Sequence, residues 1–154
     1  MRLHVLFALT VCSFIAGAGS LPADDAKDDA IKKERQKYIG TWRVTSLIVD
    51  GKEISEEDAK KISVINEADG KWTIQVEGKP LARGISDIDP TTKPKTIDFT
   101  PSDGANAGQT CLGIYELGKN TRKLCYAPPN KHRPSEFASN PGTGYVVVTF
   151  KREE

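Results

Sequence analysis

The sequence predicts an all-β fold, an eight-stranded antiparallel up-and-down barrel with a short N-terminal helix and a second short helix between the first two strands. Eight short strand-like segments follow one another between residues 41 and 151, and turn residues separate them. The first segment follows a period of two. Eight strands in simple sequence order can close on themselves and leave no exposed edge. A sandwich of seven or eight strands is the alternative architecture.

Residues 1–18 are predicted to be a signal peptide. Arg2 supplies a positive start, residues 3–15 are largely apolar, and residues 16–18 are small, as a signal peptidase requires. The apolar run is shorter than the roughly 20 residues of a transmembrane helix. A lipoprotein signal at Cys12 is the alternative, although bulky Val11 precedes it. We therefore expect an exported protein, periplasmic or secreted, with no integral membrane segment in the mature chain.

Residues 19–38 are predicted to form a polar helical lead-in, and residues 39–154 the barrel domain. Acidic residues come early in the lead-in and basic residues late, as the helix macrodipole favours. Its four aspartates lack the glycine turn and final Glu of a calcium loop, so a solvated helix is the favoured interpretation. They are Asp24, Asp25, Asp28 and Asp29.

The first strand covers residues 41–49, with Trp42, Val44, Ser46 and Ile48 on one face. Ser55, which is followed by three acidic residues, predicts the N-cap of a two-turn helix. The other seven strands are predicted at residues 62–67, 71–77, 81–88, 95–100, 109–117, 121–127 and 143–151.

The charge pattern makes nucleic acid an unexpected partner. The chain has 22 basic and 21 acidic residues, and removal of the signal takes away Arg2 and no acid. The mature chain therefore has a net charge of about zero, with the two signs interspersed, whereas a nucleic-acid binder carries a concentrated basic surface. The mature length is enough for one domain with one core.

Cys111 and Cys125 remain in the mature chain, and an oxidising compartment would allow them to bond. A two-residue turn at Gly118-Lys119 would place them on different faces of a hairpin. A three-residue turn would place them on one face but diagonally, which strains a disulfide. We therefore predict two free, partly buried thiols. A catalytic thiol needs an activating base, and this stretch shows none.

Gly40-Thr41-Trp42, after a short helix and at the start of the first strand, resembles the G-x-W signature of lipocalins and the wider calycin group. The resemblance implies that Trp42 plugs one end of the barrel. It also implies that a basic residue of the last strand, Lys151 or Arg152, lies across the indole. Such a contact contributes about 0.5 to 2 kcal/mol and is structural.

The motifs that carry a second, closer resemblance are spread over nearly the whole mature chain. They are Gly40-Thr41-Trp42, Val49-Asp50-Gly51-Lys52, Asp89-Pro90-Thr91-Thr92-Lys93-Pro94-Lys95, Gly113-Ile114-Tyr115-Glu116-Leu117, Leu124-Cys125-Tyr126-Ala127-Pro128-Pro129 and Arg133-Pro134-Ser135-Glu136-Phe137. Together they resemble an uncharacterised family of small secreted lipocalin-like domains expanded in planctomycete bacteria. The family has no established biochemical activity, so the resemblance implies a fold and leaves the function open.

Four residues, Ser46, Trp72, Ser86 and Tyr115, are the predicted lining of a ligand site inside the barrel. In the fourth predicted strand, residues 81–88, one face carries Ser86 and other small side chains, and the opposite face carries Arg83. We favour the small face pointing inward, because the alternative would bury an unpaired charge.

The long loop at residues 128–142 is a second candidate site, a contact surface formed by Arg133, Glu136 and Phe137. The structural alternative is that Phe137 caps the barrel end and Arg133 pairs with Glu136. His132, the one histidine of the mature chain, lacks the partners of a triad or a zinc site. We therefore expect no metal and no cofactor.

The leading hypothesis is a non-enzymatic monomer that binds a small apolar or amphipathic molecule inside the barrel. The alternative is an extracytoplasmic protein-interaction or inhibitor module that acts through the barrel-end loops. A cavity lined by Ser46, Ser86 and Tyr115 would favour the first. A solid core with an exposed Phe137 would favour the second.

Overall fold

The structure, a computed structural model, describes residues 22–154. The predicted signal peptide, residues 1–18, lies outside the described residues. The helices and strands of the described part are α1 (Ala23–Tyr38), β1 (Gly40–Val49), β2 (Lys52–Glu53), α2 (Glu56–Ala59), β3 (Ile62–Asn66), β4 (Lys71–Val76), β5 (Lys79–Asp89), β6 (Lys95–Pro101), β7 (Cys111–Leu117), β8 (Thr121–Tyr126) and β9 (Val146–Arg152).

Eight of these strands form a closed antiparallel barrel. Each of β3 to β9 pairs with its neighbour in sequence, β1 pairs with β3, and β1 also pairs with β9. The two-residue strand β2 only extends the end of β1. The pairing of β1 with β9 closes the sheet, so the predicted eight-stranded barrel with a helix before β1 and another between the first strands is confirmed.

A β-bulge in β1 reverses the faces of its second half. Val44 pairs with Phe150, yet Ser46 pairs with Thr149, so Thr45 is an extra residue on the β1 side. Its hydroxyl donates to the Thr149 carbonyl at 3.1 Å. Beyond the bulge Leu47 joins the interior core. The prediction that Ser46 and Ile48 share the inward face of Trp42 is therefore wrong.

The barrel has one covered end, called here the closed end. Helix α1 runs directly into β1 at this end, and Tyr38 packs into the interior core with Trp42 and Tyr115. Lys27 of α1 pairs with Asp89 at the end of β5, at 2.7 Å. The opposite end, where β4 turns into β5, is called the open end.

The outer surface of the sheet carries a second apolar cluster, called here the outer cluster. Its buried members are Ile114, Cys125 and Val147, and Ile48 and Phe137 pack against them. Phe137 belongs to the loop between β8 and β9, so this long connection is held against the outside of the barrel wall.

Both cysteines are free and buried, which confirms the prediction of two free thiols. Leu117 pairs with Arg122, so four residues separate the hairpin partners, and the turn is neither the two-residue nor the three-residue alternative. Relative to the two-residue turn, the register moves by an even number of residues, so the two cysteines lie on different faces, as that alternative required. Cys125 pairs with Ile114 on the outer face, whereas Cys111 pairs with Phe99 of the interior.

Candidate functional site

The barrel encloses a cavity of about 270 Å³. Side chains from α1 and from seven of the eight barrel strands reach it, and nearly all of them are apolar. They are Tyr38, Val44, Leu47, Ile62, Val64, Asn66, Trp72, Ile74, Val76, Leu81, Ser86, Ile97, Phe99, Arg122, Leu124, Tyr126, Val148 and Phe150. The period of two along the strands brings these side chains to the inner face, and the register shifts in β1 and at the start of β5 change which residues do so there.

Small residues on β5 make room for the largest side chain of the cavity wall. Trp72 pairs across the sheet with Gly84. A Cβ atom at position 84 would lie 2.2 Å from Cζ2 of the Trp72 indole. The glycine therefore allows the indole to lie against β5, and Ser86 lines the cavity beside it. Arg83 lies on the exposed outer face, as the preferred orientation of this strand requires.

Leu81 marks the mouth of the cavity at the open end. It lines the cavity, and yet 70% of its surface is exposed. The β4–β5 ladder shifts register between Ile74 and Gln75, which leaves Leu81 without a partner across the sheet. An apolar side chain that is both cavity wall and surface connects the interior to solvent.

Trp42 closes the other end of the barrel from inside. Its side chain is fully buried, and its Nε1 donates to the Tyr38 carbonyl at 2.9 Å. The Arg152 guanidinium carbon lies 4.2 Å from the indole centroid. Arg152 also donates to the carbonyls of Lys37 and Ile39. Arg152 therefore occupies the place expected for Lys151 or Arg152, whereas Lys151 is exposed.

A second arginine, Arg122, reaches the cavity from β8 and was not singled out from the sequence. Only 2% of its surface is exposed. Its guanidinium carbon lies 4.6 Å from the Tyr38 ring centroid, 4.9 Å from that of Trp42 and 4.1 Å from that of Phe150. The sequence did indicate that Arg122 faces inward, because it alternates in step with the apolar residues Leu124 and Tyr126 of the same strand.

The Arg122 guanidinium has unused hydrogen-bond donors. Within residues 22–154, neither its Nε nor its Nη1 has a hydrogen-bond partner, and no carboxylate forms an ion pair with it. Burial lowers the pKa of Arg122, nearby Tyr38 opposes this, and the charge of Arg152 lowers the pKa further. Arginine nevertheless stays protonated in proteins, so the cavity contains a fixed positive charge.

Two more donors on the cavity wall are unpaired. Nε1 of Trp72 and Nδ2 of Asn66 are buried without a partner in the described part of the chain. The two residues face each other across β3 and β4. Ser86, in contrast, is satisfied: its hydroxyl donates to the Gly70 carbonyl at 3.2 Å and accepts from Arg35 Nη1 at 3.2 Å.

Tyr115 lies in the closed end and not among the residues that line the cavity. Its hydroxyl donates to Oε1 of Glu34 at 3.3 Å, and its ring meets Tyr38 edge to face at 5.6 Å. Glu34 is buried and accepts from Lys95 Nζ at 2.6 Å. Burial, followed by the charge of Glu34, raises the pKa of Tyr115. This buried contact belongs to the attachment of α1, which the polar lead-in sequence did not reveal.

The loop at residues 128–142 forms neither the predicted contact surface nor the alternative arrangement in which Arg133 pairs with Glu136. Arg133 donates to the Gly113 carbonyl at 2.7 Å and to the Ile97 carbonyl at 3.2 Å, and it pairs with Asp98 at 2.6 Å. Glu136 is exposed and is not its partner. The expectation of an Arg133–Glu136 pair is therefore wrong.

Phe137 is half-buried against the outer cluster, with Lys123 Nζ 5.3 Å from its ring centroid. It covers the barrel wall and does not cap the barrel end, which corrects the structural alternative for this residue. Arg133 and Phe137 both turn toward the barrel, so of the three predicted contact residues Glu136 alone is freely exposed.

Residues 22–154 contain no group of three histidine, cysteine or acidic side chains placed to hold a metal ion. None of the helices in this part of the chain has the length and apolarity needed to cross a membrane.

Searches against protein-family models, curated proteins and solved structures find no match for this chain. The resemblance to the planctomycete family therefore stays a prediction, carried by the motifs quoted above.

Proposed function

We propose that the protein is an exported, non-enzymatic barrel that binds a small apolar or amphipathic molecule in its interior. The observation that carries the proposal is the apolar cavity of about 270 Å³ that opens at Leu81. A barrel that served only as a rigid scaffold would gain stability by filling this space, because unfilled volume in a core costs free energy.

The cavity volume supports a ligand of modest size. An apolar cavity of about 150 Å³ is sufficient to bind benzene, and pockets for drug-sized molecules begin at about 300 Å³. By this comparison the barrel holds more than a single aromatic ring. Its apolar walls would bury most of such a molecule and would contribute affinity in proportion to the area removed from water.

A protein-interaction or inhibitor module is the second candidate function. Leu81 and Ile85, both on β5, are 70% and 50% exposed, and such side chains favour contact with another protein. The loop at residues 128–142 supports this function less, since Arg133 and Phe137 contact the barrel itself.

The first test is native mass spectrometry of the mature protein purified from its own export compartment, followed by denaturation. A stoichiometric small molecule that is released on unfolding would support the binding barrel and identify its ligand class. A clean apo mass together with a co-purifying protein would favour the interaction module.

A matched pair of variants tests whether binding occurs in the cavity. Val64 lines the cavity, whereas its neighbour Ile65 does not. Val64→Phe fills part of the space, and we expect it to lower the affinity for 1-octanol, followed by tryptophan fluorescence, by at least about tenfold. Ile65→Phe adds a similar ring to the other face of β3 and should leave the affinity within about twofold. Equal effects of the two variants would place binding outside the barrel.

A further inference from the structure

We propose that the ligand of this cavity is a small amphipathic monocarboxylate, with its carboxylate on Arg122 and its apolar tail directed toward Leu81. This inference rests on the proposed function, since it names the chemical class of the molecule in the same cavity. It starts from four unpaired donor nitrogens of the cavity wall, which belong to the three residues Arg122, Trp72 and Asn66.

The charge of Arg122 requires compensation. An ion in an apolar interior is costly unless it is paired and hydrogen-bonded. The rings of Tyr38, Trp42 and Phe150 attract the cation. The ring faces offer no lone pair to a guanidinium N–H. The neutral hydroxyl of Tyr38 raises the pKa of Arg122 against the effect of burial, yet Nε and Nη1 remain without acceptors. What the site lacks is therefore an acceptor with a negative charge.

The remaining polar groups select the same chemistry. Indole Nε1 is only a donor, and Trp72 offers it beside the amide nitrogen of Asn66. An ionised carboxylate has two acceptor oxygens and no donor, and it suits the planar fork of arginine. It also balances one guanidinium with one charge, whereas a phosphate monoester would bring an excess negative charge into an apolar cavity.

The strand positions set the direction of the ligand. Arg122 is the second residue of β8, Trp72 is the second residue of β4, and Asn66 is the last residue of β3, so all three lie toward the closed end. The opposite half of the cavity is lined by apolar side chains, among them Ile62, Val76 and Leu81. The part of the cavity nearest the closed end, where Arg122 lies, is called here the cavity floor. A ligand with its carboxylate on this floor would leave its alkyl chain against the apolar wall.

The volume sets the length. If about 150 Å³ holds the six carbon atoms of benzene, then a cavity of this size holds roughly eleven non-hydrogen atoms. Octanoate, with its ten, is a suitable probe, and 1-octanol and octylamine have the same chain with a neutral and a positive head.

The test is isothermal titration of the delipidated, folded protein with these three probes. We expect octanoate to bind at least about tenfold more tightly than 1-octanol, because hydrogen bonds to a charged group are stronger than those to a neutral one. Octylamine should bind most weakly. Equal binding of octanoate and 1-octanol would overturn the monocarboxylate and leave the binding barrel standing. No binding of any probe would overturn both proposals.

Two arginine variants locate the preference. Arg122→Met should remove the preference for octanoate over 1-octanol. Arg152→Met is the matched control: it removes the other cation that lies on Trp42, at 4.2 Å, but Arg152 does not line the cavity. It should keep the preference within about twofold. An unchanged preference in Arg122→Met, or an equal loss in both variants, would overturn the assignment of the carboxylate to Arg122. If Arg122→Met does not fold, Trp72→Phe should still weaken octanoate more than 1-octanol.

Discussion

Two arginines of this barrel are both drawn out of solvent, and they differ in what satisfies them. Arg133, in the loop at residues 128–142, binds two main-chain carbonyls and the carboxylate of Asp98. Arg122, on the cavity floor, lies among three aromatic rings, and two of its nitrogens have no partner in residues 22–154. The first charge has its carbonyl and carboxylate partners within the protein. For the second, we propose that a ligand supplies the acceptor groups.

The comparison separates a structural region from the proposed binding region by the partners of their charged groups. In the outer wall, Arg133 joins the loop to β6 and β7 through the carbonyls of Ile97 and Gly113 and the carboxylate of Asp98. The cavity floor keeps a fixed charge next to an apolar space. Substitutions in the outer wall should therefore change stability more than ligand binding. Substitutions at the Arg122 end of the cavity should change ligand binding more than stability.

The largest effect should come from the support beneath the cavity floor. Trp42 is fully buried, and both Arg122 and Arg152 lie against its ring. Trp42→Ala should lower the free energy of unfolding by about 3 to 5 kcal/mol, since it leaves a large cavity in the core. Urea denaturation followed by far-UV circular dichroism would measure it.

The control is Trp72→Phe, which keeps an aromatic ring on the cavity wall and should cost less than about 1.5 kcal/mol. A near-neutral Trp42→Ala would mean that the indole is not the plug of the closed end, and the calycin comparison would lose its main support.

The next effect compares the two arginines directly. Arg133→Met removes hydrogen bonds to two carbonyls and leaves Asp98 without its partner, so it should destabilise the fold by about 1 to 3 kcal/mol. Arg122→Met removes an unpaired buried charge and should change stability by less than about 1 kcal/mol, because lost contacts with the rings offset the relief. Thermal and urea unfolding of both variants measure the difference.

Lys131→Met serves as the control for the loop, because Lys131 is exposed in the same segment. It should be close to neutral. A larger loss of stability in Arg122→Met than in Arg133→Met would show that Arg122 is satisfied inside the protein, and the comparison would fail.

A smaller effect should come from the loop's apolar contact. Phe137→Ala uncovers part of the outer cluster and should destabilise the fold by about 1 to 2 kcal/mol, less than a fully buried phenylalanine. Burial raises the pKa of the Cys125 thiol, so the native protein should react slowly with iodoacetamide. The variant should react faster at Cys125, measured by peptide mass spectrometry.

Cys111 provides the control within the same molecule, since it lies on the other face of the sheet from Cys125. Its labelling rate should stay unchanged in Phe137→Ala. An equal increase at both cysteines would indicate general loosening of the barrel and not the removal of a local cover.

These regions also show what sequence alone can predict. The strand order and the inward face of β5 follow from local patterns: turn residues, a period of two, and small residues at Gly84 and Ser86. The free thiols follow from parity, which survived a change in turn length. Each of these properties depends on residues close together in the chain.

The features that were missed depend on distant contacts. The bulge that moved Ser46 off the inner face is held by Thr45 and Thr149, more than a hundred positions apart. Glu34 is buried only because α1 lies over Tyr115 and Lys95. The alternation along β8 does place Arg122 on the inner face. A buried cation points to a ligand site, however, only when its surroundings are known to lack a carboxylate, and the sequence does not show this.

The smallest effect concerns the rim, defined here as the edge of the closed end where Lys27 of α1 contacts Asp89 of β5. Like Arg133, this pair has its charged partner within the protein. Lys27 and two hydrogen bonds from Thr91 hold the pKa of Asp89 at about 2. Because the folded pKa lies below the usual value near 3.9, the carboxylate adds stability above that value and loses it as pH falls toward 2. Asp89→Asn should therefore cost less than about 1 kcal/mol at neutral pH, as for other surface pairs, and nothing below pH of about 2. Urea unfolding at several pH values, with Lys27→Met as the partner variant, measures this. A cost that did not change with pH would mean that the Thr91 contacts, and not the charge, attach the rim.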